Sequence, residues 1–467
     1  MSAEVQKFDV VVIGSGPAGY VAALWAAERG ARAALVEKKY LGGTCLNVGC
    51  IPSKALIHCV EMLDMARSGK RFGITFGEPQ VDFDKVRGYK DRVVKQLVTG
   101  VEHLLNKREV AVFRGLGRLQ GPGEVAVELE DGTVSLQADR ILLCTGSEPV
   151  CLPMCSLDDP AIMTSDNAVN LPGPPKSLAI IGGGAIGLEF AYVYSGFGTQ
   201  VTVVEMLPRL LPSEDPEASE VLARALVKRG VKIAVNSKVT EVADSDQGKR
   251  LVYECEGECT TIEAEMALLA VGRRASTAGL GLEEAGVALE RGRVQVNERL
   301  QTSVPSIFAA GDCLRGIGLA HLASHEGLAA VDFALGREAH VNLDCVPSGI
   351  YTVPEVASVG LREHEAQERG LEITVGKFPF SALGKATVLN EREGFVKLIA
   401  EPGTGRMLGG TIVGPKATEL IAEVALAVEN QLSMEDIADT IHGHPTLNES
   451  VGEAALAGLG TPLHNLP

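Results

Sequence analysis

One pattern occurs twice in this chain and narrows the fold further than any other. Phe8-Asp9-Val10-Val11-Val12-Ile13 reads as a buried parallel strand. Gly14-Ser15-Gly16-Pro17-Ala18-Gly19 follows, then an alanine-rich helix to about Arg29 with Gly30 closing it. A second strand, Ala33-Ala34-Leu35-Val36, ends in Glu37. Ser177-Leu178-Ala179-Ile180-Ile181 leads in the same way into Gly182-Gly183-Gly184-Ala185-Ile186-Gly187, a helix, Val201-Thr202-Val203-Val204 and Glu205. Gly19 to Glu37 is 18 positions, and Gly187 to Glu205 is 18 again. Gly14, Gly16 and Gly19, like Gly182, Gly184 and Gly187, let the backbone turn tightly and approach a pyrophosphate. The helix N-terminus offers that anion free N–H groups, and the acid accepts hydrogen bonds from a ribose. A lone G-x-G-x-x-G is a weak signal. Strand, loop, helix, strand and acid repeated in one register predict two dinucleotide sites built alike. Both acids suit a free 2′-hydroxyl and repel a 2′-phosphate.

Other segments fill out an α/β chain. Ile141–Leu143 runs through Cys144-Thr145 into Gly146, Ala267–Val271 runs into Gly272, and Ile307–Ala310 runs into Gly311-Asp312. Strand ends are where open α/β sheets hold ligands. Asp312 either grips a ribityl or phosphate-proximal hydroxyl or caps the helix expected over residues 321–335. Residues 110–140, with Asp131-Gly132, suit a small antiparallel excursion, and residues 55–109 read as helical. After about Cys345 strands alternate with turns through Val413, then come helices over 416–431 and 449–457. The chain of 467 residues is too long for one core. The expected division is 1–150 and 274–345 for the first nucleotide domain, 151–273 for the second, and 346–467 for a separate α+β domain.

Gly42-Gly43-Thr44-Cys45-Leu46-Asn47-Val48-Gly49-Cys50-Ile51-Pro52-Ser53-Lys54 carries two cysteines with four residues between them. In a continuous helix their Cα atoms would lie about 8.7 Å apart, whereas a disulfide wants roughly 4.4–6.8 Å. The sulfurs can join only if the segment departs from helix geometry at one end, and Gly49 permits that. The plainer alternative is two buried free thiols. Ten cysteines scattered through so long a chain suit a reducing compartment. The Cys151/Cys155 and Cys255/Cys259 pairs have no histidine cluster beside them, and no metal site is expected.

His442-Gly443-His444-Pro445-Thr446-Leu447-Asn448-Glu449 is the last motif. Pro445 keeps His444 out of the helical region and precedes a new helix. Glu449 lies within reach of His444, and a carboxylate there fixes the imidazole tautomer and raises its basicity. A metal pair of His442 and His444, or a purely structural helix start, are the alternatives. Net charge is −17 with no basic tract, so no nucleic-acid partner is expected, and no apolar run reaches membrane-spanning length.

Two nucleotide sites beside a redox-capable cysteine pair suggest an electron relay, with one nucleotide a tightly held flavin. The cysteine segment, the twin fingerprints, Phe308-Ala309-Ala310-Gly311-Asp312 and the His442–Glu449 motif together resemble the dihydrolipoamide dehydrogenases, members of the class I pyridine nucleotide-disulfide oxidoreductases. The resemblance covers essentially the whole chain in the same motif order. It implies Rossmann-like FAD and NAD domains with a C-terminal dimerisation domain. It implies a homodimer whose active site combines Cys45 and Cys50 of one subunit with His444 and Glu449 of the other. Cys45 would be the interchange thiol and Cys50 the charge-transfer thiol against the flavin. Lys54 would sit near the flavin and pair with Glu189. FAD contacts would include Glu37, Gly43, Thr44, Gly117, Thr145, Gly146, Asp312 and Ala320. NAD contacts would include Glu189, Glu205, Val239 and Gly272 beside the second glycine loop. The implied reaction oxidises protein-bound dihydrolipoamide, on lipoylated acyltransferase or H-protein domains, and passes electrons to NAD.

Some positions depart from the family pattern. Gly316-Ile317-Gly318-Leu319-Ala320-His321 lacks the expected proline and methionine before Ala-His. The stretch between Glu37 and Gly42 is short. No lipoyl domain precedes residue 8, so docking is expected on the folded surface. Glutathione-type reductases prefer the 2′-phosphorylated cofactor that Glu205 disfavours. A mercuric reductase would want a further cysteine pair, and none follows Cys345. Met1-Ser2-Ala3-Glu4-Val5 has neither a signal nor a transit pattern, which suits a bacterial cytoplasm or, for a processed chain, a mitochondrial matrix.

Overall fold

The computed structural model describes residues 6–314 and 318–465. Met1–Val5, Gly316 and Ile317, on which part of the sequence reading rests, lie outside the described residues. The strand Gln6–Ile13 lies at the centre of the first sheet, with Ala33–Glu37 and Gly132–Leu143 parallel on its two sides. Ala111–Arg114 adds to the outer edge of Ala33–Glu37, and Ile307–Ala309 to the end of Gly132–Leu143. Val10, Val11 and Val12 are fully buried, as a strand covered on both faces requires. The second sheet repeats this order. Ser177–Ile181 is flanked by Gln200–Val204 and Met266–Leu269, with Lys232–Ala234 and Ile162–Thr164 outside them. The chain therefore carries two sheets whose four central parallel strands share one order, each with its glycine loop at the C-terminal end of its central strand.

Two local expectations need correction. The antiparallel excursion consists of Leu116–Gly121 and Glu124–Leu129 folded onto the first half of Gly132–Leu143. Ala111–Arg114, expected in that excursion, is instead the parallel edge strand, because its partner is the distant Ala33–Glu37. The helical stretch 55–109 is two helices, Cys50–Ser68 and Phe83–Lys107. Gly73, at φ +77°, ends the 3-10 turn after the first helix. Asp82 caps the second by accepting from the Lys85 N–H at 3.2 Å.

The C-terminal domain has a five-stranded antiparallel sheet in the order Ser348–Ile350, Glu355–Gly360, Met407–Gly414, Phe395–Ala400, Thr374–Pro379. Helices Ala417–Glu429 and Glu449–Gly458 pack on it. A buried ionic clasp joins this sheet to the second nucleotide domain. Lys397 Nζ lies 2.9 Å from Asp215 Oδ2, 2.9 Å from Glu217 Oε1 and 2.6 Å from Glu363 Oε2. The side chains of Lys397 and Asp215 are 3% and 0% exposed. Beside it Glu214 accepts from Ser348 at 2.8 Å and from Ser358 at 2.6 Å.

Candidate active site

Gly42 and Gly43 take positive φ (87° and 62°), which turns the chain into a short helix, Gly43–Asn47. A Cβ on Gly43 would lie 2.5 Å from Gly16 Cα, so the cysteine segment is pressed against the first glycine loop. Thr44 stands beside Gly43 in that helix. The helix stops at Val48 and Gly49, whose backbones leave helical geometry (φ −138° and φ −125°), and a new helix starts at Cys50. The break falls between the cysteines, next to the glycine the sequence pointed to. Both cysteines are half-buried, and they touch through a side-chain hydrogen bond.

That contact separates their acidities. The hydrogen bond with Cys50 pushes the Cys45 thiol up, and burial adds to the rise. The hydrogen bond from Cys45, helped by Lys54, brings Cys50 down to about 7 against the opposing effect of burial. Cys50 is also the first residue of a 19-residue helix, where the dipole favours an anion. In the dithiol form Cys50 carries the thiolate and Cys45 keeps the proton. Lys54, one turn further along, donates to Glu189 Oε1 at 2.9 Å and Oε2 at 2.8 Å.

The twin nucleotide loops match bond for bond. Glu37 Oε2 accepts from the Ser15 N–H at 2.8 Å, and Glu205 Oε2 from the Gly183 N–H at 2.6 Å. Glu37 Oε1 accepts from the Lys39 N–H and Glu205 Oε1 from the Leu207 N–H, both at 2.7 Å. Gly14 and Gly182 have φ of 98° and 113°, and a Cβ on either would strike the neighbouring strand's carbonyl, Cys144 or Ala270. Gly19 and Gly187 face the carbonyls of Gly14 and Gly182. Gly16 and Gly184 meet nothing within 4 Å, so each loop keeps an open cradle at its helix start. A cavity of about 370 Å³ adjoins the first loop, with Gly14, Glu37, Gly117 and Thr145 in its wall. These residues fit a dinucleotide whose pyrophosphate rests on the helix N-terminus. Gly146 and Gly272 follow the corresponding strands, both with positive φ.

Asp312 is not a helix cap. Its Oδ2 accepts from Ser147 Oγ at 2.7 Å, while the next helix starts at Ala320 with Leu319 as its N-cap. Val239 lies on Lys238–Ser245, packed with Ile181 and Val204 and 8% exposed. Sequence reasoning missed Ser15, whose Oγ donates to Glu37 at 2.6 Å, and Tyr351, whose N–H donates to Glu189 at 3.1 Å. A serine inside a glycine loop could have been flagged. Nothing local marks Tyr351.

His444 Nδ1 lies 2.7 Å from Glu449 Oε1, while Glu449 Oε2 accepts from the Thr446 N–H at 2.8 Å. Burial opposes ionisation of Glu449, but these two donors hold its carboxyl below the ordinary value. The imidazole is thus tied at Nδ1 and presents Nε2 outward, its side chain 78% exposed. His442 turns elsewhere, to Glu423 at 2.8 Å, and is 10% exposed. The two histidines serve different carboxylates. Ile441, 97% exposed, and Leu426, 62% exposed, line a surface cavity beside His442.

Residues 8–327 match the pyridine nucleotide-disulphide oxidoreductase family, and residues 346–455 match the dimerisation domain of the same family. The chain belongs to this family of flavin- and nicotinamide-dependent enzymes, and its dimerisation domain supports a homodimer. Its relatives narrow the assignment. It is 42% identical to a dihydrolipoyl dehydrogenase of Bacillus subtilis, covering 98% of this chain and 99% of that one. It is 43% identical to the mitochondrial dihydrolipoyl dehydrogenase of Dictyostelium discoideum, covering 98% and 96%. The crystal structure of LpdA from Mycobacterium tuberculosis superposes with a TM-score of 0.89 at 29% identity, covering 96% and 99%.

Proposed function

We propose that the chain oxidises protein-bound dihydrolipoamide to lipoamide and passes the electron pair through Cys45 and Cys50 to FAD and then to NAD. The observation that carries this reading is the side-chain contact of Cys45 with Cys50 across the helix break, with Lys54 one turn further along the second helix. The relay starts from the Cys45–Cys50 disulfide. His444, held by Glu449, takes the proton of one substrate thiol at Nε2. The resulting thiolate attacks Cys45, a mixed disulfide forms, and Cys50 leaves as the thiolate that Lys54 and the helix N-terminus favour. The second substrate thiol then displaces Cys45, so lipoamide leaves oxidised and the enzyme is left as the dithiol. The first glycine loop with Glu37 would hold FAD, which would supply two-electron acceptance beside the dithiol, and the second loop with Glu205 would hold NAD as the hydride acceptor. In the homodimer His444 and Glu449 serve the cysteines of the opposite subunit.

The contacts assigned to FAD are Gly14, Gly16, Gly19, Glu37, Gly43, Thr44, Lys54, Gly117, Thr145, Gly146, Asp312 and Ala320. Those assigned to NAD are Gly182, Gly184, Gly187, Glu189, Glu205, Val239 and Gly272. We divide the chain at 150, 273 and 345. The partners would be lipoylated acyltransferase domains or the lipoylated H-protein of glycine cleavage. The setting would be a bacterial cytoplasm or a mitochondrial matrix, and among the described residues no helix is long and apolar enough to cross a membrane. The test is a steady-state assay with free dihydrolipoamide and NAD beside glutathione and NADPH. Turnover confined to the first pair is expected. Preference for glutathione and NADPH would overturn the proposal.

A further inference from the structure

Glu189 is a buried carboxylate, 6% exposed, on the helix Ala185–Gly196 of the second nucleotide domain. The first domain reaches it through Lys54, and the C-terminal domain reaches it through Tyr351. Tyr351 directly follows the strand Ser348–Ile350 and makes two contacts at this point. Its N–H donates to Glu189 Oε1 at 3.1 Å. Its ring lies under the Lys54 ammonium, 4.4 Å from nitrogen to ring centroid. Lys54 is therefore held between a carboxylate and an aromatic face, and it stands one helical turn from Cys50 on the same helix.

We propose that Tyr351 is a positioning residue of the thiol relay: ring and N–H together fix the Lys54–Glu189 pair so that the ammonium stays beside Cys50. The inference rests on the relay proposed above. An ammonium free to swing would spend part of its time in water, where its field at the half-buried sulfur is screened. A flat ring with its negative face toward the ammonium limits that swing without adding a second anion beside the thiolate. A carboxylate in its place would raise the thiol again, as Glu189 already tends to do. Burial disfavours the Lys54 ammonium, yet Glu189 and Cys50 hold it above its ordinary value. Burial likewise pushes the Tyr351 phenol up, so the ring stays neutral through the working range. The ionisable groups facing the thiolate are Cys45, Lys54 and Glu189, and those around the Tyr351 ring are Lys54, Glu189, Glu355 and Glu419.

The experiment uses the FAD-loaded dimer, reduced by two electrons without oxygen. The long-wavelength thiolate–flavin absorption is titrated against pH in the parent enzyme, Tyr351→Phe and Tyr351→Leu. Tyr351→Phe keeps ring and backbone and is expected to titrate with the parent. Tyr351→Leu removes the ring, and its midpoint is expected to rise by about 0.5–1 pH unit, a three- to ten-fold loss of thiolate at fixed pH. A parallel series keeps the side-chain size and places singly to fully fluorinated phenylalanine at position 351. Its midpoint should climb as the ring face loses negative charge. An unmoved midpoint in both Tyr351→Leu and the fluorinated series overturns the proposal. So does Tyr351→Phe moving as far as Tyr351→Leu, which would assign the effect to the hydroxyl. Absence of the band in the parent enzyme would instead remove the relay, and this role with it.

Discussion

The contact between His444 and Glu449 gives the sharpest prediction. Glu449 receives two donors, the imidazole at 2.7 Å and the Thr446 N–H at 2.8 Å. Glu449→Gln keeps the shape but leaves one acceptor oxygen for two donors and removes the charge. A hydrogen bond to a charged group contributes about 1.5–3 kcal/mol. The stabilisation that matters is the part gained when His444 becomes imidazolium. If all of it is lost at that moment, the step slows by roughly 12- to 150-fold, at about 1.4 kcal/mol per tenfold. The assay is stopped-flow and separates two half-reactions. Reduction of the oxidised enzyme by dihydrolipoamide should slow by that factor, because it begins with proton removal from a thiol. Reduction by NADH begins at the nicotinamide side and should proceed at close to the parent rate. An unchanged thiol-side rate would refute the reasoning, and an equal fall on both sides would show that the variant merely disturbs the fold.

Other outcomes follow from the same geometry. His444→Gln should slow dihydrolipoamide oxidation by about 10²-fold or more, the usual effect of losing a general base; undiminished turnover would remove the assigned role. Cys50→Ser should abolish dihydrolipoamide turnover while FAD stays bound, measured by flavin absorbance after gel filtration; full activity would end the disulfide relay. Glu205 should set NAD over NADP, and equal kcat/KM for both would count against it. Lys397→Met leaves Asp215 buried and unpaired, at a cost of about 3–5 kcal/mol. Amide exchange in Phe395–Ala400 should then accelerate at neutral pH. The pH dependence has a definite sign. Burial works against both charges, but the carboxylates hold the Lys397 ammonium above its ordinary value, and the Lys377 and Lys397 ammoniums hold Glu217 below its own. The lysine contribution is lost only in strong alkali. The Glu217 contribution is present above the ordinary carboxylate pKa and lost as pH falls through its lowered value. The gap between parent and variant should therefore be full at neutral pH and close in acid, and a gap that widens in acid would contradict the clasp.

The parts of this fold that could be read early are those whose partners lie close in sequence. The spacing of glycines and acid announces two loops that the structure repeats down to the Glu37–Ser15 and Glu205–Gly183 bonds. The helix break was anticipated because Gly49 adjoins Cys50, and the His444–Glu449 contact spans five residues. What escaped depends on distant chain. Ala111–Arg114 looks like any short β segment until Ala33–Glu37 offers it a parallel edge. Tyr351 takes its meaning from Lys54 and Glu189, each in another domain.

The Lys397 clasp has a consequence for anyone recombining this chain with its relatives. The ammonium and Glu363 come from the C-terminal domain, while Asp215 and Glu217 come from the second nucleotide domain. The C-terminal domain is consequently not a portable module. A graft that imports a neutral residue at 397 strands Asp215 and leaves Glu217 to Lys377 alone, and one that keeps the lysine without its acids strands the cation. Chimaeras should tolerate crossovers only where both halves of this lock travel together.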